Sequence, residues 1–290
     1  MGMQHTVTPC EAGQYSAFRG DCTVALLDSS ELREDEYTHF LSPAERAKYV
    51  GIRNQRRRSE WLAGRLAAKY LFLSHMQTSS TRWKNEWKPV LTMLSSEDLD
   101  LYSPWMYQKV EVLPVGRVGK KPNPYLGFIW CDEKRPESIS VSHTNNMSCA
   151  CLTFGCATTI DIESAVPRVS SFYKNSFTEV EKAWVSHYGS GDDGRANWLF
   201  ALLWTLKESA LKLEVVHPAS VWQLPQIEIE ALPDLDDVLQ FRSDTTFGVD
   251  FFRFKARVRE QHSVMQVQVA VTGTRTLILS VMQPVSGVTN

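Results

Sequence analysis

The sequence has no apolar run of the roughly 18 residues that a membrane-spanning helix requires, so we expect no membrane partner. It also has no excess of basic charge. The formal net charge is −2, which argues against a nucleic-acid partner. Residues 1–21 have no basic start and no apolar core, so no secretory signal is expected. No internal repeat and no low-complexity tract is recognisable.

Zinc-binding cysteine patterns are also missing. None of the six cysteines forms a Cys-x-x-Cys pair, and no histidine lies at zinc spacing from them, which argues against a structural zinc site. We therefore expect reduced, buried thiols and a cytoplasmic protein. The cysteines are Cys10, Cys22, Cys131, Cys149, Cys151 and Cys156.

The composition is that of an ordinary globular protein, with 290 residues, of which 43% are hydrophobic and 22% are charged. This length suffices for one large domain or two modest ones. The pattern of elements changes near residue 156, so we divide the chain into an N-terminal half, 1–156, and a C-terminal half, 157–290. Helical and strand patterns both occur, which predicts an α/β or α+β fold.

Capping residues and apolar spacing predict three main helices, and alternation of apolar and polar residues predicts a strand-rich tail. Ser42 caps the first helix, and Glu181 completes a capping box at the second. Residues 76–118 are predicted to be an irregular excursion with short helices. The predicted helices cover 42–73, the segment from Thr178 to Tyr188, and 196–213. The predicted strands cover 138–141, 147–154, 158–162, 226–231, 249–258, 265–271 and 277–282.

The first candidate site is the tetrapeptide from Ile160 to Glu163. In a strand, its two isoleucines share one face, and Asp161 and Glu163 share the other. Two carboxylates on one face are stable if they are exposed or if a cation lies between them. From these residues alone, a solvent-facing acidic edge is the more economical interpretation.

The long helix favours a functional interpretation, because its first half is apolar on every side while its end carries Lys207, Glu208 and Lys212. Trp204, Glu208 and Lys212 are spaced at i, i+4 and i+8, so they share a face. Charges on a buried helix must be paired or must bind an ion. The alternative is a Glu208–Lys212 pair within the helix, which leaves Lys207 unexplained.

Carboxylates and lysines together suggest phosphate chemistry. Mg²⁺ prefers oxygen ligands and binds a few carboxylates with substrate phosphates, while lysines neutralise phosphate oxygens. His143, at a strand end after Ser142, either donates to a phosphate or caps the turn. Arg57 and Arg65 are eight residues apart in a basic helix, where they either grip a polyanion or belong to a solvated face.

In this order, the residues resemble the 4′-phosphopantetheinyl transferases, and specifically the larger, monomeric type that activates peptide and polyketide synthases. The resemblance rests on Trp-x-x-Lys-Glu-Ser-x-x-Lys from Trp204 to Lys212, preceded by the acid pair and by Ser142-His143. Weaker matches lie at 60–65, 119–122 and 177–181. Altogether the resemblance covers residues 40–75 and 119–215.

The resemblance implies two similar α/β halves related by a pseudo-twofold axis, with coenzyme A in the cleft between them. It also implies a reaction in which a serine hydroxyl of an acyl, peptidyl or aryl carrier protein attacks the β-phosphate of coenzyme A. The phosphopantetheine arm moves to the serine, and 3′,5′-ADP leaves. A non-catalytic relative that binds coenzyme A or carrier protein, and a nucleic-acid module built on the basic helix, are the alternatives.

Residue roles carried over from the family concern metal, catalysis and phosphate binding. Asp161, Glu163 and Glu208 would hold Mg²⁺, with Mn²⁺ as a substitute. Glu208 is also the candidate base, Lys212 would stabilise the departing phosphate, and Lys207 lies nearby. Glu181 would support the cleft. The residues that would bind coenzyme A are Arg57, Arg65, Lys121, Ser142, His143, Asp161 and Lys212.

Two departures from the family pattern stand out. Thr159 replaces the glycine that usually precedes the first acid by two residues. The Gly-Lys-Pro element carries an additional lysine, so Lys120 and Lys121 are interchangeable candidates.

Overall fold

A computed structural model describes the chain over residues 22–77, 90–114, 117–118, 121–122, 126–131, 133–153, 158–189, 191–212, 227–229, 248–258, 261–272 and 277–284. The helices are α1 (Glu34–Tyr37), α2 (Pro43–Val50), α3 (Gln55–Gln77), α4 (Ser96–Leu99), α5 (Pro104–Lys109), α6 (Ser170–Ser176), α7 (Glu179–Tyr188) and α8 (Asp193–Lys212). The strands are β1 (Cys22–Asp28), β2 (Val90–Leu94), β3 (Val110–Pro114), β4 (Arg117–Val118), β5 (Lys121–Pro122), β6 (Leu126–Trp130), β7 (Glu133–Thr144), β8 (Met147–Thr153), β9 (Thr159–Ser164), β10 (Ile227–Ile229), β11 (Gly248–Val258), β12 (Gln261–Thr272) and β13 (Leu277–Pro284).

The first large sheet has six strands in the order β2-β1-β8-β7-β6-β3. Strand β1 pairs parallel with β2 and antiparallel with β8, and the remaining pairs are antiparallel. Strands β7 and β8 form a hairpin whose turn residues Asn145 and Asn146 have positive φ angles of 43° and 67°. Asparagine tolerates this left-handed conformation better than most residues, so the turn matches its sequence.

The predicted helix over 42–73 is two helices, α2 and α3, separated by residues 51–54. Its start is as predicted, because Ser42 caps α2 in a capping box with Glu45. Gly51 ends α2. Asn54 then starts α3, since its Oδ1 accepts the backbone N–H of Arg57 at 2.9 Å. The interruption was missed because a single glycine in a helical pattern is a weak signal.

The excursion predicted over 76–118 is partly correct. Residues 78–89 lie outside the described residues, and 90–114 contain the short helices α4 and α5. The same stretch also contains strands β2 and β3, which lie at opposite edges of the six-stranded sheet and were not predicted.

The second large sheet has five strands in the order β10-β11-β12-β13-β9. Strands β11, β12 and β13 form the antiparallel meander that the tail predicts, and β9 pairs antiparallel with β13 at the sheet edge. Helices α7 and α8 also form as predicted, with the capping box of Thr178 and Glu181 at the start of α7. Helix α8 begins earlier than predicted, at Asp193.

Helix α3 packs closely on the first sheet. A Cβ atom at Gly64 would lie 2.7 Å from Val141 Cγ1 of β7, so only glycine permits this approach. Leu62, Leu66 and Phe72 of α3 are fully buried in the core of this layer.

Helix α8 organises a second core, in which Leu199, Leu202, Leu203 and Leu206 are fully buried. The mixed α/β class is confirmed, whereas the pseudo-twofold relation of the halves stays a prediction. Among the described helices, none combines the length and apolarity needed to cross a bilayer.

Three cysteines whose side chains the structure describes, Cys131, Cys149 and Cys151, form no disulfide. Cys149 and Cys151 of β8 are buried, as expected, whereas Cys131 is exposed. Burial raises the pKa of the Cys149 thiol, so this side chain is an inert part of the core.

Candidate active site

Two hydrogen bonds between β7 and β9 place the acid pair where the two sheets meet. The Ser142 hydroxyl donates to Asp161 Oδ1 at 2.6 Å, and the Thr144 hydroxyl donates to Glu163 Oε1 at 2.7 Å. Because side chains alternate along a strand, residues two apart on β7 meet residues two apart on β9. Thr144 was not singled out from the sequence.

Asp161 is held by the lysine of the predicted site. Its side chain is 5% exposed, so the interpretation as a solvent-facing acidic edge is wrong for this residue. The Lys212 ammonium donates to Asp161 Oδ1 at 2.8 Å and to the Ile160 carbonyl at 2.8 Å. Burial alone would lower the pKa of Lys212, but the charge and hydrogen bond of Asp161 together with the charge of Glu208 outweigh it and raise that pKa. Lys212 therefore carries a proton at the end of α8 and pairs with β9.

Glu208 lies one turn before Lys212 on the same face of α8. Burial, and then the charges of Asp161 and Glu163, raise the pKa of Glu208 to about 7, although Lys212 opposes the shift. A carboxyl group with a pKa near neutrality gives up or accepts a proton in the physiological range. This is the property required of a general base.

Glu163 is paired with a cation that the sequence analysis missed. Arg168, in the segment between β9 and α6, places Nη2 2.7 Å from Glu163 Oε1. The same carboxylate oxygen accepts the backbone N–H of Ser164 at 2.8 Å. An arginine five residues after a carboxylate has no characteristic spacing, so only the fold shows this pair.

The three predicted metal ligands are not assembled into a finished site. Within the described ranges, no group of three or more His, Cys, Asp or Glu residues lies close enough to hold a metal ion. Nevertheless Asp161 and Glu163 both raise the pKa of Glu208, so the three carboxyl groups lie close enough to interact electrostatically. Mg²⁺ usually binds through one or two carboxylates together with substrate phosphates and water. The donor set therefore fits a magnesium ion that binds together with a phosphate-bearing substrate.

His143 lies on β7 and contacts helix α3. Its Nε2 lies 3.9 Å from Glu60 Oε2, and Glu60 Oε1 accepts the Arg56 Nε–H at 3.0 Å. Burial lowers the pKa of His143, Glu60 opposes this shift, and Arg57 adds to it. Glu60 and Arg56 were not predicted as site residues, although Glu60 begins the weaker motif over 60–65.

Arg57 and Arg65 have different surroundings. Arg57 is exposed near the start of α3, where its charge acts on His143. Arg65 is buried, with its guanidinium carbon 4.8 Å from the centre of the Trp61 ring, and burial lowers its pKa to about 10. Eight helical residues correspond to a rotation of about 80° and a rise of about 12 Å, so the two arginines differ in direction and in height along α3.

Lys207 belongs to a fully buried network on another side of α8. Its ammonium lies 2.6 Å from Glu181 Oε2 and donates to the Ser176 carbonyl at 2.9 Å. Glu181 caps α7 together with Thr178 and accepts the backbone N–H of Ile229 at 3.1 Å. Both charged side chains have no exposed area, so this network anchors the fold of the C-terminal half.

The N-terminal half contains the same network. Glu45 caps α2 together with Ser42, pairs with Lys69 of α3, and accepts the backbone N–H of Val112 at 3.1 Å. The Lys69 ammonium donates to the Phe40 carbonyl at 3.1 Å. The similarity of the two helix-cap networks is not recognisable as a sequence repeat, because the residues that form each network are far apart in the sequence.

The structure describes the surroundings of Thr159 but not those of the two candidate lysines, Lys120 and Lys121. The Thr159 hydroxyl donates to the Ser209 carbonyl at 2.9 Å, so the residue that replaces the family glycine fastens β9 to α8. Lys121 lies in the two-residue strand β5, but its side chain is outside the described part of the chain, as is the whole of Lys120.

Two carboxylates, a lysine paired with one of them and a carboxyl group whose pKa is raised to about 7 are groups that a phosphate-transfer site can use. The family model of the 4′-phosphopantetheinyl transferase superfamily matches residues 159–270, from β9 into β12. This match supports the assignment of this part of the chain to that superfamily, whose members are transferases that use coenzyme A and typically Mg²⁺. No curated protein gives a significant match to the chain. Ser142, His143 and the arginines of α3 lie outside the matched residues.

Proposed function

We propose that the protein transfers the 4′-phosphopantetheine arm of coenzyme A to a serine of an apo acyl, peptidyl or aryl carrier protein. The observation that carries this proposal is the arrangement on one face of α8, where Lys212 pairs with Asp161 and Glu208 has a pKa of about 7. The superfamily match over 159–270 supports phosphopantetheine transfer in general. Both sheets belong to one chain and meet at β7 and β9, which supports action as a monomer of the larger family type.

In the proposed reaction, the serine oxygen forms a bond to the β-phosphorus of coenzyme A. The bond from that phosphorus to the bridging oxygen breaks, and 3′,5′-ADP leaves with the electron pair. Glu208 accepts the serine proton, directly or through a water molecule. Lys212, held protonated beside Asp161, stabilises the negative charge on the departing phosphate.

Substrate binding uses the cations around this centre. Asp161, Glu163 and Glu208 are the candidate ligands of Mg²⁺, which when bound neutralises phosphate charge. The charges of Arg57, Lys212 and Asp161 all act on His143, which supports His143 and Arg57 as candidates for binding phosphates. Arg65 and Lys121 remain candidates for the same role. Lys207 is better explained by its buried pair with Glu181 than by a catalytic role.

The test is incubation with coenzyme A, Mg²⁺ and a panel of apo carrier proteins, followed by mass spectrometry. We expect one or more carriers to gain the mass of the phosphopantetheine arm. Glu208→Gln should lower the transfer rate by about 10²–10⁴, which is the usual contribution of a general base. Glu179→Gln, on the exposed side of α7, is the matched control and should retain the wild-type rate.

Two results would contradict the proposal. The absence of any mass gain across the panel would reject the transferase activity, and coenzyme A binding without transfer would indicate a non-catalytic relative. If Asp161→Asn and Glu208→Gln both retained the full rate, the assignment of the site would be wrong.

A further inference from the structure

We propose that Arg168 competes with the divalent cation for Glu163, so that this carboxylate becomes a metal ligand only after the arginine releases it. This inference rests on the proposed function, which names Glu163 as a candidate ligand. Arg168 lies in the segment between β9 and α6, and its Nη2 lies 2.7 Å from Glu163 Oε1. Arg168 therefore sets how tightly the site binds an ion.

One oxygen of Glu163 already accepts three donors. Besides Arg168, the Thr144 hydroxyl donates to Glu163 Oε1 at 2.7 Å, and the backbone N–H of Ser164 donates to the same atom at 2.8 Å. A carboxylate oxygen offers about two lone pairs, so this atom has no capacity for a cation while all three donors remain. Among these three donors only the guanidinium is charged, so it is the donor that a cation replaces.

The Arg168 side chain can leave Glu163 without a change in the backbone. This side chain is 37% exposed, whereas that of Glu163 is 16% exposed, so the arginine lies on the solvent side of the pair. The backbone N–H of Arg168 donates to the Tyr173 hydroxyl at 2.8 Å, which fastens the segment to α6 independently of the guanidinium. Release of Glu163 therefore requires only a rotation of the arginine side chain.

Each carboxylate of the acid pair has its own counter-ion. Lys212 pairs with Asp161, and Arg168 pairs with Glu163. The Lys212 ammonium is also held by the Ile160 carbonyl at 2.8 Å, so it is fixed on β9. A divalent cation that approaches the acid pair is repelled by both positive groups, and repulsion falls when the more exposed one moves away. Arg168 is therefore the group whose removal should strengthen metal binding.

Electron paramagnetic resonance of free Mn²⁺ tests the competition without enzymatic turnover. The protein is titrated with Mn²⁺ at saturating coenzyme A and without carrier protein, and Mn²⁺ bound by coenzyme A alone is subtracted. We expect Arg168→Gln to bind Mn²⁺ about fivefold more tightly than the wild type, and Arg168→Lys, which keeps the charge, to stay within about twofold of it. Arg33→Gln removes an equal charge from the exposed Arg33–Glu36 pair and is the matched control, with unchanged affinity expected.

Calorimetry with coenzyme A in metal-free buffer separates competition from a direct role in substrate binding. If Arg168→Gln bound coenzyme A more weakly and Mn²⁺ no more tightly than the wild type, Arg168 would be a phosphate ligand and the inference would be overturned. Equal Mn²⁺ affinities with coenzyme A bound normally would overturn it as well. If the wild type bound no coenzyme A, the proposed function would be rejected, and the Mn²⁺ titration without coenzyme A would decide on Arg168.

Discussion

The buried Glu181–Lys207 pair makes a prediction that separates folding from catalysis. Lys207→Met removes the ammonium that lies 2.6 Å from Glu181 Oε2 and leaves that carboxylate without its cation in a site of no solvent exposure. Removing one partner of a buried ion pair costs about 3–5 kcal/mol, because the remaining charge is buried and uncompensated.

The contacts that Glu181 keeps in Lys207→Met place the expected loss of stability at the lower end of the range of about 3–5 kcal/mol. Its carboxylate still accepts the backbone N–H of Thr178 at 2.8 Å and of Ile229 at 3.1 Å. We therefore expect a loss of about 3 kcal/mol, which corresponds to a fall of about 1 M in the urea midpoint for a slope near 3 kcal/mol per M. Circular dichroism during urea titration measures this midpoint.

Two comparisons control the Lys207→Met measurement. Lys182→Met breaks the exposed Lys182–Glu179 pair on α7 and should change the free energy of unfolding by at most about 1 kcal/mol. The double variant Glu181→Gln with Lys207→Met should be more stable than Lys207→Met, because no charge remains buried alone. If Lys207→Met left the urea midpoint of unfolding unchanged but abolished coenzyme A binding, this reasoning would be refuted. Lys207 would then be a residue of the active site.

Three further predictions concern Glu208, a close contact and the helix caps. The pKa of Glu208 is about 7 in the folded protein and near 4.5 when unfolded, so the folded state binds more protons between these values and its stability falls as pH rises through this window. Compared with Glu208→Gln, the wild type should lose about 3 kcal/mol between pH 4 and pH 8 in urea titrations, and parallel pH curves for the two would contradict the shift. Gly64→Ala should destabilise the protein by about 1–3 kcal/mol in the same assay, whereas the uncrowded Gly51→Ala should not. Ser42→Ala and Thr178→Ala should each cost about 1 kcal/mol in thermal unfolding, and no loss in either would show that the cap bonds contribute nothing.

Local signals in the sequence were sufficient for much of this fold. The caps at Ser42 and Thr178 depend on residues three positions apart, so the pattern alone identifies them. The tail meander was also predictable, because strand alternation is read within each segment. Strands β2 and β3 were missed because their place in the sheet depends on partners elsewhere in the chain, namely β1 and β6.

In the candidate site, too, the residues in local sequence patterns could be predicted, whereas contacts between residues distant in the sequence could not. Asp161, Glu208 and Lys212 were predicted from spacing, and the structure brings them to one place. Arg168 and Glu60 were missed, because each meets its partner only after the chain folds. Arg65 was expected from helical spacing to share a face with Arg57, and the structure shows in addition that it is buried against Trp61 in the N-terminal half.

The signature from Trp204 to Lys212 contains two adjacent charged residues, Lys207 and Glu208, whose side chains meet different parts of the protein. Successive residues on a helix point about 100° apart, so Lys207 and Glu208 cannot serve the same side of α8. Lys207 meets the cap of α7, just as Lys69 meets the cap of α2 in the half that does not contain Asp161 and Glu163. Because the same kind of lysine–glutamate network occurs at both helix caps, we propose that it holds each capped helix against its neighbour. The proposed chemistry then rests on the other face, where Lys212 pairs with Asp161 and the charge of Asp161 acts on Glu208.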